Sequence, residues 1–294
     1  MADQEEGTTP WSGFLTETQQ RLTDAGIDGN ARLEARWMIE EVTGSQGAEY
    51  YDVLDQPATV RGVDKLDAMV ARRSQGEPIQ YVLGHWSFRE LDLLVDKRVL
   101  IPRPETEVVV GVALGELDRM RAGNQGGSVI DLGTGSGAVG LSIAIERAGT
   151  RVLLTDTSDD VLDVTRANLA GLGIRGASVE ISRGSWFEAV PDRFLGECDV
   201  LVSNPPYIAS SEQLDDSVEL WEPSLALRSG IDGMDDLRVI VAGASDYLRP
   251  GGSLVLEMGH TQTLDVMNLA ADAGFQTESF TDLAGMPRGV VCRW

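Results

Sequence analysis

From Ser128 onward, short apolar runs alternate with helix-length runs, and this alternation limits the fold more than any other feature of the 294-residue chain. Residues 128–132, 151–155, 179–181, 198–203, 253–257 and 290–292 read as strands, and residues 138–146, 161–169 and 236–248 as helices among them. Strands that are apolar almost throughout are buried on both faces, as in sheets covered by crossover helices. The expected class is α/β, with a mostly parallel, doubly wound sheet. No internal repeat or low-complexity tract interrupts the pattern.

Upstream the periodicity changes. Residues 11–25, 31–42 and 63–73 carry apolar side chains at helical spacing, including Ala31, Leu33, Ala35, Trp37, Met38 and Val42, then Leu66, Met69 and Val70. Gly26 and Gly44 serve as stops. A small helical bundle over residues 1–75 is expected. Gly76 and Gly84 bracket the next stretch, residues 86–93 alternate with period two, and Val99-Leu100-Ile101 follows. Two short strands forming a hairpin, in a linker over residues 76–101, fit this pattern. Ile101-Pro102-Arg103-Pro104-Glu105-Thr106-Glu107 then opens a helix with acids in its first turn, at the start of the third region, 102–294.

Charge narrows the partners. Forty-seven acids against 24 bases give a formal −23, which repels phosphate backbones over a Debye length of about 8 Å. Direct nucleic-acid binding is therefore not expected. Cys198 and Cys292 stand far apart without a C-x-x-C pairing, so a reducing, cytoplasmic protein is expected. No run reaches the roughly 18 apolar residues needed to cross a bilayer, and the acidic start, Met1 to Glu6, is unlike a secretory signal.

Between the first strand of the alternating region and its helix lies Asp131-Leu132-Gly133-Thr134-Gly135-Ser136-Gly137. Glycines there permit a tight turn and close approach of a ligand to the backbone. The spacing G-x-G-x-G departs from the G-x-G-x-x-G dinucleotide fingerprint and favours S-adenosylmethionine over a nicotinamide cofactor; a purely structural turn is the competing reading. Asp156 ends the second strand, where a carboxylate accepts from both hydroxyls of an adenosine ribose. Trp186, in Ser185-Trp186-Phe187, is either an aromatic wall for adenine or a core residue.

Asn204-Pro205-Pro206-Tyr207 follows the strand 198–203. Two prolines add no ladder hydrogen bonds, but they fix φ and aim carbonyls into the crevice at the strand's C-terminal edge. The planar NH2 of an amide or of adenine is a poor nucleophile. Two acceptors, the Asn204 side-chain oxygen and the Pro205 carbonyl, would hold its hydrogens and direct the nitrogen at a sulfonium methyl. Tyr207 adds an aromatic face with a polar tip. His85 and His260 are not required by this scheme and read as structural.

These residues resemble the release factor glutamine methyltransferases of the HemK/PrmC type. The resemblance rests on Gly76-Glu77-Pro78-Ile79-Gln80-Tyr81, the string from Ile101 to Glu107, Asp131 to Gly137, Asn204 to Tyr207, Glu222-Pro223-Ser224-Leu225, Arg249-Pro250-Gly251-Gly252 and Leu256-Glu257-Met258-Gly259. It implies a Rossmann-like class I S-adenosylmethionine-dependent methyltransferase domain, a small N-terminal helical domain that docks the release factor, and a β-hairpin linker. It also implies methyl transfer to the side-chain nitrogen (N5) of the glutamine in the Gly-Gly-Gln loop of class 1 peptide release factors, by a monomer. Gly133, Thr134, Gly135, Ser136, Gly137, Asp156, Trp186 and Asn204 would hold the cofactor, and Asn204, Pro205, Pro206 and Tyr207 the glutamine amide. Methylation of a ribosomal-protein glutamine, adenine-N6 methylation of nucleic acid, and a non-catalytic module that kept the fold are the alternatives.

Overall fold

The computed structural model describes residues 6–27, 29–121 and 126–294; the first five residues of the acidic start lie outside them. Contacts divide the chain into two units, Met1–His85 and Trp86–Trp294.

The first unit contains β1 (Glu6–Pro10), α1 (Trp11–Asp24), α2 (Ala31–Thr43), α3 (Ala48–Leu54), β2 (Pro57–Thr59), α4 (Val60–Ser74) and α5 (Ile79–Leu83). Most residues expected on the inner faces of α2 and α4 form its core: Ala35, Met38, Leu66, Met69 and Val70 pack with Trp11, Leu22 and Tyr50, while Leu33 is exposed, its position on α2 facing outward. Thr59 caps α4 by accepting from the Gly62 N–H. The antiparallel pairing of β1 with β2 was not foreseen. The bundle also reaches past the expected limit at residue 75, because Ile79 and Val82 are buried in its core. His85 lies 3.2 Å from Glu41 within this unit.

The second unit opens beside a hairpin, β3 (His85–Phe88) and β4 (Leu91–Leu94). Both strands come from the stretch that period-two alternation assigned to one strand, and 99–101 is loop. The chain turns at Arg89, whose φ of 50° is unusual for a side-chain-bearing residue. The turn is held there because the Arg89 guanidinium makes two 2.6 Å bonds to Glu146 while its N–H donates to Glu107. Val99 and Ile101 are buried but lie in no strand.

The elements that follow are α6 (Thr106–Arg121), β5 (Gly127–Leu132), α7 (Ala138–Glu146), β6 (Thr150–Asp156), α8 (Asp159–Gly171), β7 (Val179–Arg183), β8 (Cys198–Ser203), α9 (Asp216–Glu219), α10 (Asp235–Tyr247), β9 (Leu248–Glu257), α11 (Thr263–Asp272), β10 (Gln276–Thr281) and β11 (Pro287–Arg293). The seven-stranded sheet runs β10-β11-β9-β8-β5-β6-β7. Its pairs from β7 to β9 are parallel; β11 runs antiparallel to both β9 and β10. All six residues of β8 are buried, as expected for a central strand covered on both faces. Cys198 and Cys292 are buried as free thiols, and burial pushes both up to about 12, away from reactivity.

Chain order reverses between β5 and β8: the chain leaves β5 toward β6 and β7, then returns to place β8 on the other side. Open α/β sheets form their ligand crevice beyond the strand C-termini at such a point. The segment after β8 is a long irregular connection, a type of loop that usually carries function.

Candidate active site

A cavity of about 420 Å³ opens at this reversal, within the range of small-molecule sites. On the β5/β6 side it is lined by Gly133, Thr134, Gly135 and Ser136, with Asp156 and Trp186. On the β8 side it is lined by Asn204 and Pro206, with Thr106 from α6. Most of the expected glycine loop, Asp156, and Asn204 and Pro206 of the tetrapeptide therefore share one cavity. Gly137, Pro205 and Tyr207 are not among its lining residues.

The β5/β6 side is closed by backbone donors. Asp131, 1% exposed, accepts from the Thr134 hydroxyl at 2.6 Å and the Gly140 N–H at 2.9 Å. Burial nevertheless lifts it to about 6. Gly140 must be glycine, since a Cβ would stand 2.1 Å from Leu154 and 2.9 Å from the Asp131 carboxylate. Asp156 accepts from the N–H groups of Gly135 (3.2 Å) and Ser158 (3.1 Å). Burial also raises Asp156 above the usual carboxylate range, against the lowering effect of those bonds.

Trp186 occupies both positions that the sequence left open, the core and the cavity wall. It packs on the sheet's core cluster and also lines the cavity. Its backbone has φ 46°, a strained value for a bulky residue and a common mark of a functional position. The indole N–H donates to Asp236 at 3.1 Å. A Cβ at residue 133, whose φ is 71°, would lie 3.3 Å from the same ring, so glycine there lets the loop and the indole meet.

The β8 side is organised differently. Asn204 Nδ2 donates to Thr106 Oγ1 at 3.4 Å, and the Thr106 hydroxyl donates to Glu257 at 2.8 Å. Asn204 Oδ1 is buried with no hydrogen-bond partner. Burial lifts Glu257 to about 7, opposed by Thr106, Arg288 and Tyr207. It also pushes Tyr207 up to about 12, so its hydroxyl stays neutral. The Tyr207 carbonyl accepts from Gln262 at 3.0 Å, which anchors the end of the tetrapeptide.

The string from Ile101 to Glu107 gains a structural account. The Ile101 N–H donates to Glu222 at 3.1 Å, and Arg103 pairs with the same carboxylate, tying this string to Glu222-Pro223-Ser224-Leu225. Thr106 ties it in turn to Glu257. Asp131, Thr106 and Glu257 stand in the quoted motifs with no role assigned, and Asp236 only at the start of an expected helix. Two of them carry a readable signal, an acid inside an otherwise apolar strand: Asp131 after Val129-Ile130, and Glu257 after Leu254-Val255-Leu256.

Among the described residues no cluster of His, Cys, Asp and Glu is arranged to hold a metal ion, and no helix is long and apolar enough to cross a membrane. Residues 14–84 match the family of the PrmC N-terminal domain and residues 114–221 that of the methyltransferase small domain. A solved methyltransferase from Pyrococcus furiosus shares the fold, with a TM-score of 0.51 at 17% identity over 76% of this chain and 96% of its own. The release factor glutamine methyltransferase of Xylella fastidiosa (strain Temecula1) is 41% identical over 275 residues, 92% of this chain and 96% of that protein. That of Agrobacterium fabrum is 35% identical over 290 residues, 98% of each chain. With this similarity along nearly its whole length, the chain belongs to the release factor glutamine methyltransferase family.

Proposed function

We propose that the protein methylates the side-chain amide nitrogen (N5) of the glutamine in the Gly-Gly-Gln loop of class 1 peptide chain release factors, with S-adenosylmethionine as donor. The observation that carries this reading is that Asn204, whose side-chain Oδ1 is buried without a hydrogen-bond partner, lines the cavity shared with the glycine loop and Asp156. A buried acceptor without a partner is costly, and a carboxamide NH2 supplies the missing donor.

The residues fit the donor. Gly133 leaves room between loop and indole that a Cβ would fill. Asp156 would accept from the ribose hydroxyls, and Trp186 would flank the adenine. When bound, S-adenosylmethionine supplies an electrophilic methyl group. The protein's part is positional: Asn204 Oδ1 accepts one hydrogen of the glutamine NH2 and the Pro205 carbonyl the other. Acceptors on both hydrogens favour the positive charge that develops on nitrogen and hold it in line for attack. No strong base is needed before transfer: the nitrogen attacks with its protons in place, the C–S bond breaks to leave the neutral thioether, and the cationic amide then releases one N–H proton to water.

We assign docking of the release factor to the N-terminal helical unit. The net charge of −23 suits a protein acceptor better than free nucleic acid. The test is incubation of the purified protein with labelled S-adenosylmethionine and a class 1 release factor, followed by mass spectrometry of the tryptic peptide bearing the loop. One added methyl on the glutamine is expected, and none when that glutamine is replaced by asparagine. Label on any other residue, or equal labelling of the asparagine variant, would overturn the assignment.

A further inference from the structure

We propose that Thr106 and Glu257 form a hydroxyl–carboxyl relay that decides which end of the Asn204 carboxamide faces the substrate. The inference rests on the role given to Asn204 above and extends it to two positioning residues behind it.

An asparagine side chain has a donor end and an acceptor end of nearly equal shape, so hydrogen bonds set its orientation. Here the orientation is set from behind. Glu257, 1% exposed at the end of β9, accepts the Thr106 proton. The Thr106 oxygen then presents a lone pair to Asn204, and only Nδ2 can meet it. Oδ1, buried and without a partner, remains as the free acceptor of the side chain. A neutral carboxylic acid at 257 can reverse the chain. Its O–H donates to Thr106, the Thr106 proton turns to Asn204, and the carboxamide flips to satisfy it. The substrate NH2 would then meet another NH2, which offers it no acceptor.

Three further groups face the Glu257 carboxyl: the Arg288 guanidinium of β11, the Tyr207 hydroxyl and the Glu105 carboxylate. Arg288 and Tyr207 favour its ionised form, Glu105 the neutral one, and burial lifts it to about 7. The relay therefore switches near neutral pH, with Asn204 correctly set on the alkaline side.

The test uses the full chain and needs two readouts. First, the Asn204 side-chain amide resonances are followed by NMR against pH without substrate. A transition near pH 7 is expected in the wild type and is expected to vanish in Thr106→Val and Glu257→Gln. Second, kcat/KM for release factor methylation is measured from pH 5.5 to 8.5. It is expected to rise with pH to a plateau in the wild type and to lose that limb in Glu257→Gln. Thr106→Val is expected to lower kcat roughly 10²-fold, the scale of a misplaced reacting group, and Thr106→Ser to restore most of it. S-adenosylhomocysteine affinity is expected to stay within about twofold throughout. A resonance transition that persists in Thr106→Val, or a Thr106→Ser variant as slow as Thr106→Val, would overturn the relay. A wild type that leaves release factor unmethylated at every pH would instead overturn the proposed function, while the resonance titration would still decide the relay.

Discussion

On the β5/β6 side of the cavity, Asp131 and Asp156 are met by the backbone N–H groups of Gly140, Gly135 and Ser158 and by the Thr134 hydroxyl. On the β8/β9 side, Asn204 is held by a single side-chain chain through Thr106 to Glu257, and its oxygen has no partner. The first side is a cradle whose carboxylates are held by hydrogen bonds within the chain. The second is a hydrogen-bond set with one acceptor unfilled, which the proposed substrate amide would complete. Donor binding and acceptor activation should thus be separable by mutation, although the two sides flank one opening.

The sharpest way to break that comparison is Asn204→Ala. The variant loses the proposed acceptor of the substrate nitrogen, and removing such an electrostatic contact costs about 10²–10³ in kcat. Calorimetric affinity for S-adenosylhomocysteine is expected to stay within a few fold, because the cradle is untouched. A variant that turns over at the wild-type rate would show that Asn204 does not hold the amide. Loss of donor affinity on the same scale as the rate would show that the two sides are one unit.

How far the sequence exposed these two sides follows the same division. The cradle was legible, because glycines at 133, 135 and 137 after an apolar strand and an acid at the end of the next are local signals. The tetrapeptide was legible for a similar reason: two prolines after a strand are too unfavourable in a sheet to be accidental. The relay was not, because Thr106 and Glu257 are far apart in sequence and meet only when α6 packs beside the end of β9. The hairpin was misplaced because alternation continues through Arg89, and only the contacts of that residue with Glu107 and Glu146 reveal the turn. Outside the parallel region, α11 and β10 were missed. The strand β10 lies at the sheet's edge with mostly exposed or half-exposed residues, so its composition lacks the apolar run that marks β8.

A smaller effect tests the cradle. Asp156→Ala removes the proposed ribose contact and leaves the Gly135 and Ser158 N–H groups without their acceptor. Losing a charge-assisted hydrogen bond of about 1.5–3 kcal/mol predicts donor affinity weaker by roughly 10- to 10²-fold in calorimetry. With saturating S-adenosylmethionine, kcat should recover to near the wild-type value, in contrast to Asn204→Ala. Failure to recover would mean that the acid also orders the β8/β9 side.

The finest test compares the buried carboxyls of the two sides by pH. Asp131 rises to about 6 and Glu257 to about 7 in the folded protein, above the unfolded values of about 4. For an acid raised on folding, the folded state holds a proton that the unfolded state has released. Its contribution is complete below the unfolded value and is lost as pH rises through the folded one. Glu116 has the opposite sign: burial opposes its ionisation, but Arg293, Ser253 and Arg119 hold it down at about 2, so its share is lost only in strong acid. The stability advantage of wild type over Glu257→Gln is therefore expected to shrink by about 1 kcal/mol per pH unit between pH 5 and 7, then level off. For Asp131→Asn the same decline should end nearer pH 6, since two donors on one oxygen, from Thr134 and Gly140, favour its ionised form. Denaturant midpoints read across this range distinguish the two. Identical profiles would mean that the backbone donors of the cradle do not set its carboxyl apart from the one behind Asn204.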